Sequence, residues 1–296
     1  MSLNRSFLFA PGNVPRRVEK ALTLEADAVI VDLEDSVAAT DKATTRQSVA
    51  QALKAPRRGR GYVRVNAAST SWCYGDLVET IHKGVEGVVL PKVESAAELH
   101  AIDWLLTALE HERGIAEASI DLMPQVETAA GVQRIERIVQ ARSLRTYKAP
   151  WRVKRVCFGA ADFANDVGLS PSLDEPELAE ARARVVVISR AAGLENPIDS
   201  PWFHLKELEA FRRSNERSRR GGFQGRCCIH PDQLAPVNAA YLPSERELEQ
   251  ARRIVAAFRE AEAKGAAAIQ VDGQMVDYPV AFRAQALLDS VEQLNR

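Results

Sequence analysis

Ile120-Asp-Leu-Met-Pro-Gln-Val-Glu127-Thr-Ala-Ala-Gly131 starts as an apolar run, stops at a carboxylate and continues in small residues that open a helical pattern. Val156-Cys-Phe-Gly-Ala-Ala-Asp162-Phe163 follows the same order. A buried strand that ends in an acid ahead of a helix is where parallel α/β enzymes keep their chemistry. No other pair of strand ends in the chain is like these two. Together they suggest a shared hard cation, Mg²⁺ or Mn²⁺, which takes oxygen ligands and keeps positions for water and substrate.

Outward from these two stretches, short β-like runs alternate with longer helical patterns. The predicted strands are Ser6–Ala10, Ala28–Leu33, Gly61–Asn66, Gly87–Pro91, Ile120–Val126, Val153–Gly159, Leu194–Ile198 and Gly225–Ile229. Helices are predicted over Arg16–Glu25, Lys42–Lys54, Gly75–Lys83, Ala96–Gly114, Gly131–Ala141 and Glu177–Ala192, where apolar residues recur at helical spacing, as in Ile135, Ile138 and Val139. Parallel strands need crossover helices, so the alternation implies a parallel sheet. The number of strands favours closure into a (β/α)₈ TIM barrel over an open sheet. That assigns residues 1–235 to a catalytic barrel and 236–296 to a C-terminal helical extension. In the extension, Ser244–Lys264 reads as a capped helix, Ala266–Pro279 as a short strand and turn, and Pro279–Leu294 as a last helix. Arg212–Arg226, rich in Arg, Ser and Gly, reads as a flexible loop on the active face.

Polar residues gather at the strand ends: Asp32, Glu34 and Asp35 after the second, Arg64 and Asn66 at the third, Lys92 after the fourth, Asp199 at the seventh, His230 and Asp232 at the eighth. Several readings stay open for them. Glu127 and Asp162 could cap helices instead of holding a cation. Arg64 offers a permanent cation to an enolate or a carboxylate, and could equally pair with Glu34 or Asp35. Lys92 reads as an ion-pair partner before a Schiff-base lysine. His230 reads as an orienting histidine before a general base.

The bulk numbers exclude little and impose nothing exotic. The chain has 296 residues, is 46% hydrophobic and 27% charged, and carries a formal net charge of −1. Nothing in that balance calls for nucleic acid or a membrane surface. Cys73, Cys157, Cys227 and Cys228 lack metal-site spacing and are expected as free thiols in a reducing cytoplasm. The first ten residues are not expected to form a signal peptide, and no apolar run is long enough to span a bilayer.

Leu8-Phe-Ala-Pro-Gly12, Val31-Asp-Leu-Glu-Asp-Ser-Val37 with Lys42 and Arg46, Val63-Arg-Val-Asn66, Leu90-Pro-Lys-Val-Glu94, Val126-Glu-Thr-Ala-Ala-Gly131, Phe158-Gly-Ala-Ala-Asp-Phe163, Cys228-Ile-His-Pro231 and Gly273-Gln-Met-Val-Asp277 occur in that order. As a set they resemble the citrate lyase β-subunit-like family of the HpcH/HpaI aldolase superfamily, which includes malyl-CoA and citramalyl-CoA lyases. The resemblance covers nearly the whole chain. It implies a TIM barrel, a homotrimer or dimer of trimers, Mg²⁺ as cofactor and a CoA thioester as substrate. By position, Glu127 and Asp162 match the metal ligands, with Glu34 and Asp35 around them. Arg64 matches the arginine on the acyl group and its enolate. Phe9 and Lys20 match CoA contacts. Asp277 matches an acid/base aspartate that a neighbouring subunit's tail supplies. Val14 departs from the arginine often found after the Pro-Gly turn, with Arg16 and Arg17 close by. The expected reaction is cleavage or formation of a 3-hydroxy-3-carboxyacyl-CoA. Alternatives are a malyl-CoA thioesterase, or a citrate lyase β-type subunit acting on a substrate borne by an acyl carrier protein.

Overall fold

The computed structural model of the chain describes residues 4–143 and 151–294. Eight parallel strands close in sequence order into a barrel. They are β1 (Ser6–Pro11), β2 (Ala28–Asp32), β3 (Arg60–Arg64), β4 (Gly87–Leu90), β5 (Asp121–Val126), β6 (Cys157–Phe158), β7 (Ile198–Asp199) and β8 (Gly225–Cys228). The intervening helices are α1 (Pro15–Thr23), α2 (Lys42–Ala52), α3 (Cys73–Thr80), α4 (Ala96–Glu112), α5 (Ala129–Val139), α6 (Ala160–Val167), α7 (Ala179–Ala191), α8 (Leu208–Arg220) and α9 (Leu234–Ala240). The expected TIM barrel is therefore present.

Strand periodicity divides the apolar residues between two layers. Phe7, Ile30, Tyr62, Met123, Cys157, Ile198 and Cys227 fill the barrel interior. Their neighbours Leu8, Val29, Val31, Val63 and Leu122 pack outward under the helices. Two residues further along, the inward set Ile30, Tyr62 and Met123 becomes Asp32, Arg64 and Gln125. The same alternation that builds the core thus delivers charge to its carboxyl end.

Three sequence expectations are corrected. Val153–Gly159 and Leu194–Ile198 shrink to the short β6 and β7. Pro197 has no N–H to give a ladder, and the segment before β6 is held by single bonds, Leu122 N to Arg152 O at 3.1 Å and Glu195 N to Lys154 O at 2.8 Å. The Arg212–Arg226 loop is instead most of α8, followed by β8 from Gly225. The buried face of that helix includes Ser214, Asn215 and Ser218, which hides its apolar period. Arg226 donates to Asn215 Oδ1 at 2.7 Å and to Ser214 Oγ at 3.0 Å, and the Tyr241 hydroxyl donates to Ser218 Oγ at 2.6 Å. Arg212 pairs along the outer face with Glu209 and Glu216.

The described chain divides into a barrel unit, Asn4–Tyr241, and a C-terminal unit that begins at Leu242. The C-terminal unit opens with α10 (Glu245–Ala263), whose Ser244 and Glu247 form a reciprocal cap. A hairpin of β9 (Ala268–Val271) and β10 (Gln274–Asp277) follows, then α11 (Tyr278–Leu294). The hairpin turns at Asp272 and Gly273, at φ 50° and 81°. Two successive positive φ values match the primed turn that joins twisted strands tightly. Ile254, Val255, Phe258 and Val276 form this unit's own core. No helix among the described residues is long and apolar enough to cross a membrane.

Arg152 locks α4 to the strand below it. It binds Asp103 at 2.6 Å, Glu110 at 2.9 Å, Thr107 at 3.0 Å and the Ile120 carbonyl at 2.9 Å. Arg152, Asp103 and Glu110 are all essentially without solvent exposure. Arg152→Ala removes the buried cation that faces the Asp103 and Glu110 carboxylates and is expected to cost about 3–5 kcal/mol of stability, read from urea unfolding. A loss below about 1 kcal/mol would show that the charges escape burial.

Candidate active site

Arg64 and Asp32 end neighbouring strands as direct register partners. The guanidinium meets the carboxylate through two hydrogen bonds, Nε to Oδ1 at 2.7 Å and Nη2 to Oδ2 at 2.8 Å, and its Nη1 pairs with Glu34 Oε2 at 2.9 Å. The Phe9 ring lies under it, 4.8 Å from the guanidinium carbon. Asp32 also accepts the Glu34 N–H at 2.9 Å and the Ser36 N–H at 3.1 Å, which folds the loop after β2 around it. Burial works against the Asp32 charge, but Arg64 outweighs it and holds the carboxyl below its ordinary value. Lys42 and Asn66 support the same loop from beneath: Lys42 Nζ donates to the Glu34 carbonyl at 2.8 Å and Asn66 Nδ2 to the Leu33 carbonyl at 3.0 Å.

Glu127 follows the last residue of β5 and has no exposed surface. Its Oε1 accepts the Lys92 N–H at 2.8 Å, and its Oε2 accepts from Gln125 Nε2. Lys92 reaches this contact from the left-handed region, at φ 52°. A lysine held there is strained backbone spent on a buried carboxylate. The Lys92 side chain is ion-paired with Glu34 and Asp35. Gly159, just after β6, closes over Glu127 so tightly that a Cβ would lie 2.3 Å from Oε2. A side chain at that position would displace the carboxylate.

Asp162 lies in the first turn of α6 and lines the cavity above the barrel. Neither acid is a helix cap. Thr128 caps α5 through the Gly131 N–H at 2.9 Å, and α6 has no side-chain cap. Its first N–H, of Ala160, goes to Ser200 Oγ at 3.0 Å. Burial first, then Asp162 and Glu34, push the Glu127 carboxyl from 4.5 up to about 8, more than Gln125 and Arg64 pull it down. Here is a buried acid whose neighbours add negative charge. A divalent cation suits such a place, because it would add positive charge where Arg64 and Gln125 offset burial and the neighbouring acids only in part.

The cavity has a volume of about 650 Å³ and is walled by Phe9, Arg17, Asp35, Arg64, Gln125 and Asp162, among others. A second cavity, about 340 Å³, shares Phe9 and Arg17 with it and adds Lys20 and His230. The barrel unit therefore brings together Arg64, Glu34, Asp35, Glu127, Asp162 and Phe9, with Lys20 in the adjoining cavity. Asp277 belongs to the C-terminal unit, where it ends β10 and accepts the Val280 N–H at 3.2 Å. His230 caps a turn through the Asp232 N–H at 3.2 Å. Two contributors were not assigned a role from sequence. Asp32 was visible only as a strand end; its place opposite Arg64 depends on register. Gln125 shares the face of Glu127 by strand alternation, a signal that was present in the sequence.

Three comparisons bear on these residues. The family model described as HpcH/HpaI aldolase/citrate lyase matches residues 5–231. The citrate lyase subunit beta of Leuconostoc mesenteroides subsp. cremoris is 33% identical over 97% of this chain and 92% of that protein. The L-malyl-CoA/beta-methylmalyl-CoA lyase of Rhodobacter capsulatus is 33% identical over 98% of this chain and 95% of that protein. Among solved structures, the protein CitE of Mycobacterium tuberculosis in complex with magnesium, acetoacetate and coenzyme A is 28% identical, with a TM-score of 0.76, over 97% of this chain and 98% of that one.

The raised Glu127 carboxyl has a consequence for the metal-free protein. Between about pH 4.5 and 8 the folded chain keeps a proton that the unfolded chain has released, so stability falls as pH rises through this window. One such group contributes a slope of up to roughly 1.4 kcal/mol per pH unit. Glu127→Gln is expected to flatten it, as read from denaturation midpoints in chelator across that range. Parallel pH curves for the two proteins would contradict the assignment.

Proposed function

The chain belongs to the HpcH/HpaI aldolase/citrate lyase family, and from that premise we propose that it is a Mg²⁺-dependent carbon–carbon lyase. Its substrate would be a 3-hydroxy-3-carboxyacyl-CoA of the malyl-CoA or citramalyl-CoA type, cleaved to an α-keto acid and acetyl-CoA, or formed from them. The observation that carries this reading is Glu127: buried, raised by Asp162 and Glu34, and hydrogen-bonded to Gln125, which lines a cavity with Arg64 and Asp162.

Glu127 and Asp162 would hold the cation. When bound, it would act as a Lewis acid on the substrate's hydroxyl and carboxylate oxygens. Cleavage next to a thioester carbonyl leaves an enolate, and Arg64 is built to receive one. Of the five N–H groups of a guanidinium, Nε and one on Nη2 are taken by Asp32, and Nη1 is ion-paired with Glu34. N–H groups on Nη1 and Nη2 remain for an oxyanion, on a side chain whose charge is held by its carboxylate partners and which lies over the Phe9 ring. Arg17 and Lys20 put positive charge on the walls of the two cavities, which suits the phosphates of CoA and offsets the missing arginine at Val14. The enolate carbon must then gain a proton. We assign that step to Asp277 from a neighbouring copy's tail, in a homotrimer or dimer of trimers. A carrier-bound acyl substrate is the reading that would replace this one if CoA thioesters fail.

Purified protein with malyl-CoA or citramalyl-CoA is expected to release keto acid with Mg²⁺ and none with EDTA; free thiol without keto acid would make it a thioesterase. Arg64→Ala should lower kcat by about 10²–10³. Asp277→Ala should fold normally, still bind Mg²⁺, and turn over about 10²–10⁴ more slowly. A near wild-type rate would remove Asp277 from the mechanism.

A further inference from the structure

Gln125 is the last inward-facing residue of β5 before Glu127, beside its register partner Cys157. It lines the cavity and is 5% exposed. Its Nε2 is committed to Glu127 Oε2, and Gly159 leaves room for that contact, since a Cβ there would already stand 3.2 Å from Nε2. The other end of the amide is different. Oε1 is buried and has no partner among the described residues. Native interiors pair nearly all such atoms, and an unpaired buried acceptor is costly. Only a donor can satisfy it. Carboxylate, thioester and ketone oxygens cannot; a hydroxyl can, whether of a water molecule in the cavity or of a substrate that displaces it.

We infer that Gln125 Oε1 accepts the hydrogen bond of the substrate's hydroxyl group, so that the cavity selects a hydroxyacyl thioester over the same molecule without its hydroxyl. The inference rests on the lyase reading and deepens it. In cleavage the hydroxyl proton leaves for a base, the C–O bond becomes a carbonyl, and the electron pair of the broken C–C bond goes to the enolate. The donor is then gone, so the keto acid loses its bond to Gln125 and is held less tightly than the hydroxyacyl substrate. A site built for a hydroxyl rejects the analogue lacking one far more strongly than an apolar pocket can.

Malyl-CoA and succinyl-CoA differ only in that hydroxyl. Their binding is measured by calorimetry in EDTA, which stops turnover, on the wild type, Gln125→Met and Gln125→Asn. The wild type is expected to bind malyl-CoA about tenfold or more tightly than succinyl-CoA. Gln125→Met should bring the two within about threefold, chiefly by losing malyl-CoA. If that variant does not fold, Gln125→Asn, which shortens the amide, carries the same comparison. Equal binding of both ligands by the wild type overturns the assignment. So does a Gln125 variant that weakens both ligands by one factor, the result expected if a water molecule were the donor. Wild-type cleavage of malyl-CoA with Mg²⁺ is run alongside. Cleavage together with unchanged discrimination in the variants removes the Gln125 assignment alone; neither binding nor cleavage by the wild type removes the lyase reading and the assignment with it.

Discussion

A carboxylate with no exposed surface, held among other carboxylates, is the constraint around which the mouth of this barrel is arranged. Glu127 cannot keep its charge by hydration, and its two hydrogen-bond donors, the Lys92 N–H and Gln125, are neutral. The groups that hold it are themselves tightly determined: a lysine backbone at positive φ, a glycine that admits no Cβ, and an amide whose oxygen has no partner among the described residues. Such local costs persist only where the surroundings over-determine them, and they gather at functional sites.

The contrast with the other buried acids sharpens the point. Asp199, equally buried, is held down at about 2; burial opposes its charge, and Arg182 and Arg226 overcome that. Glu110 is lowered against burial by Arg152. These are closed ion pairs that fix helices to strands. Glu127 and Glu34 alone among these buried acids are driven upward. Acids that a fold leaves under-neutralised in a cleft are candidates for chemistry, and those it neutralises are scaffold.

Much of this was legible in the sequence because strand periodicity is rigid. An apolar run ending at Glu127, and others ending at Asp32 and Arg64, fixed which side chains reach the carboxyl end. The TIM barrel followed from the alternation of such runs with helical patterns. Where the sequence misled, the signal was carried by something other than apolar period. α8 buries Ser214, Asn215 and Ser218 against Arg226 and Tyr241, so it reads as a polar loop. β6 and β7 keep few ladder bonds, so their apolar flanks overstate them. The Asp32–Arg64 pair required register, and the free end of Gln125 required a side-chain inventory that no pattern of residues contains.

The central claim is that Glu127 and Asp162 together form a divalent-cation site, and metal binding itself tests it without reference to substrate. Mn²⁺ would be titrated into chelator-treated protein and followed by calorimetry and by the loss of the free-ion paramagnetic resonance signal. The account predicts one ion bound per chain by the wild type, and none at comparable concentration by Glu127→Gln or Asp162→Asn. Undiminished binding by either variant, or no binding by the wild type, would contradict it.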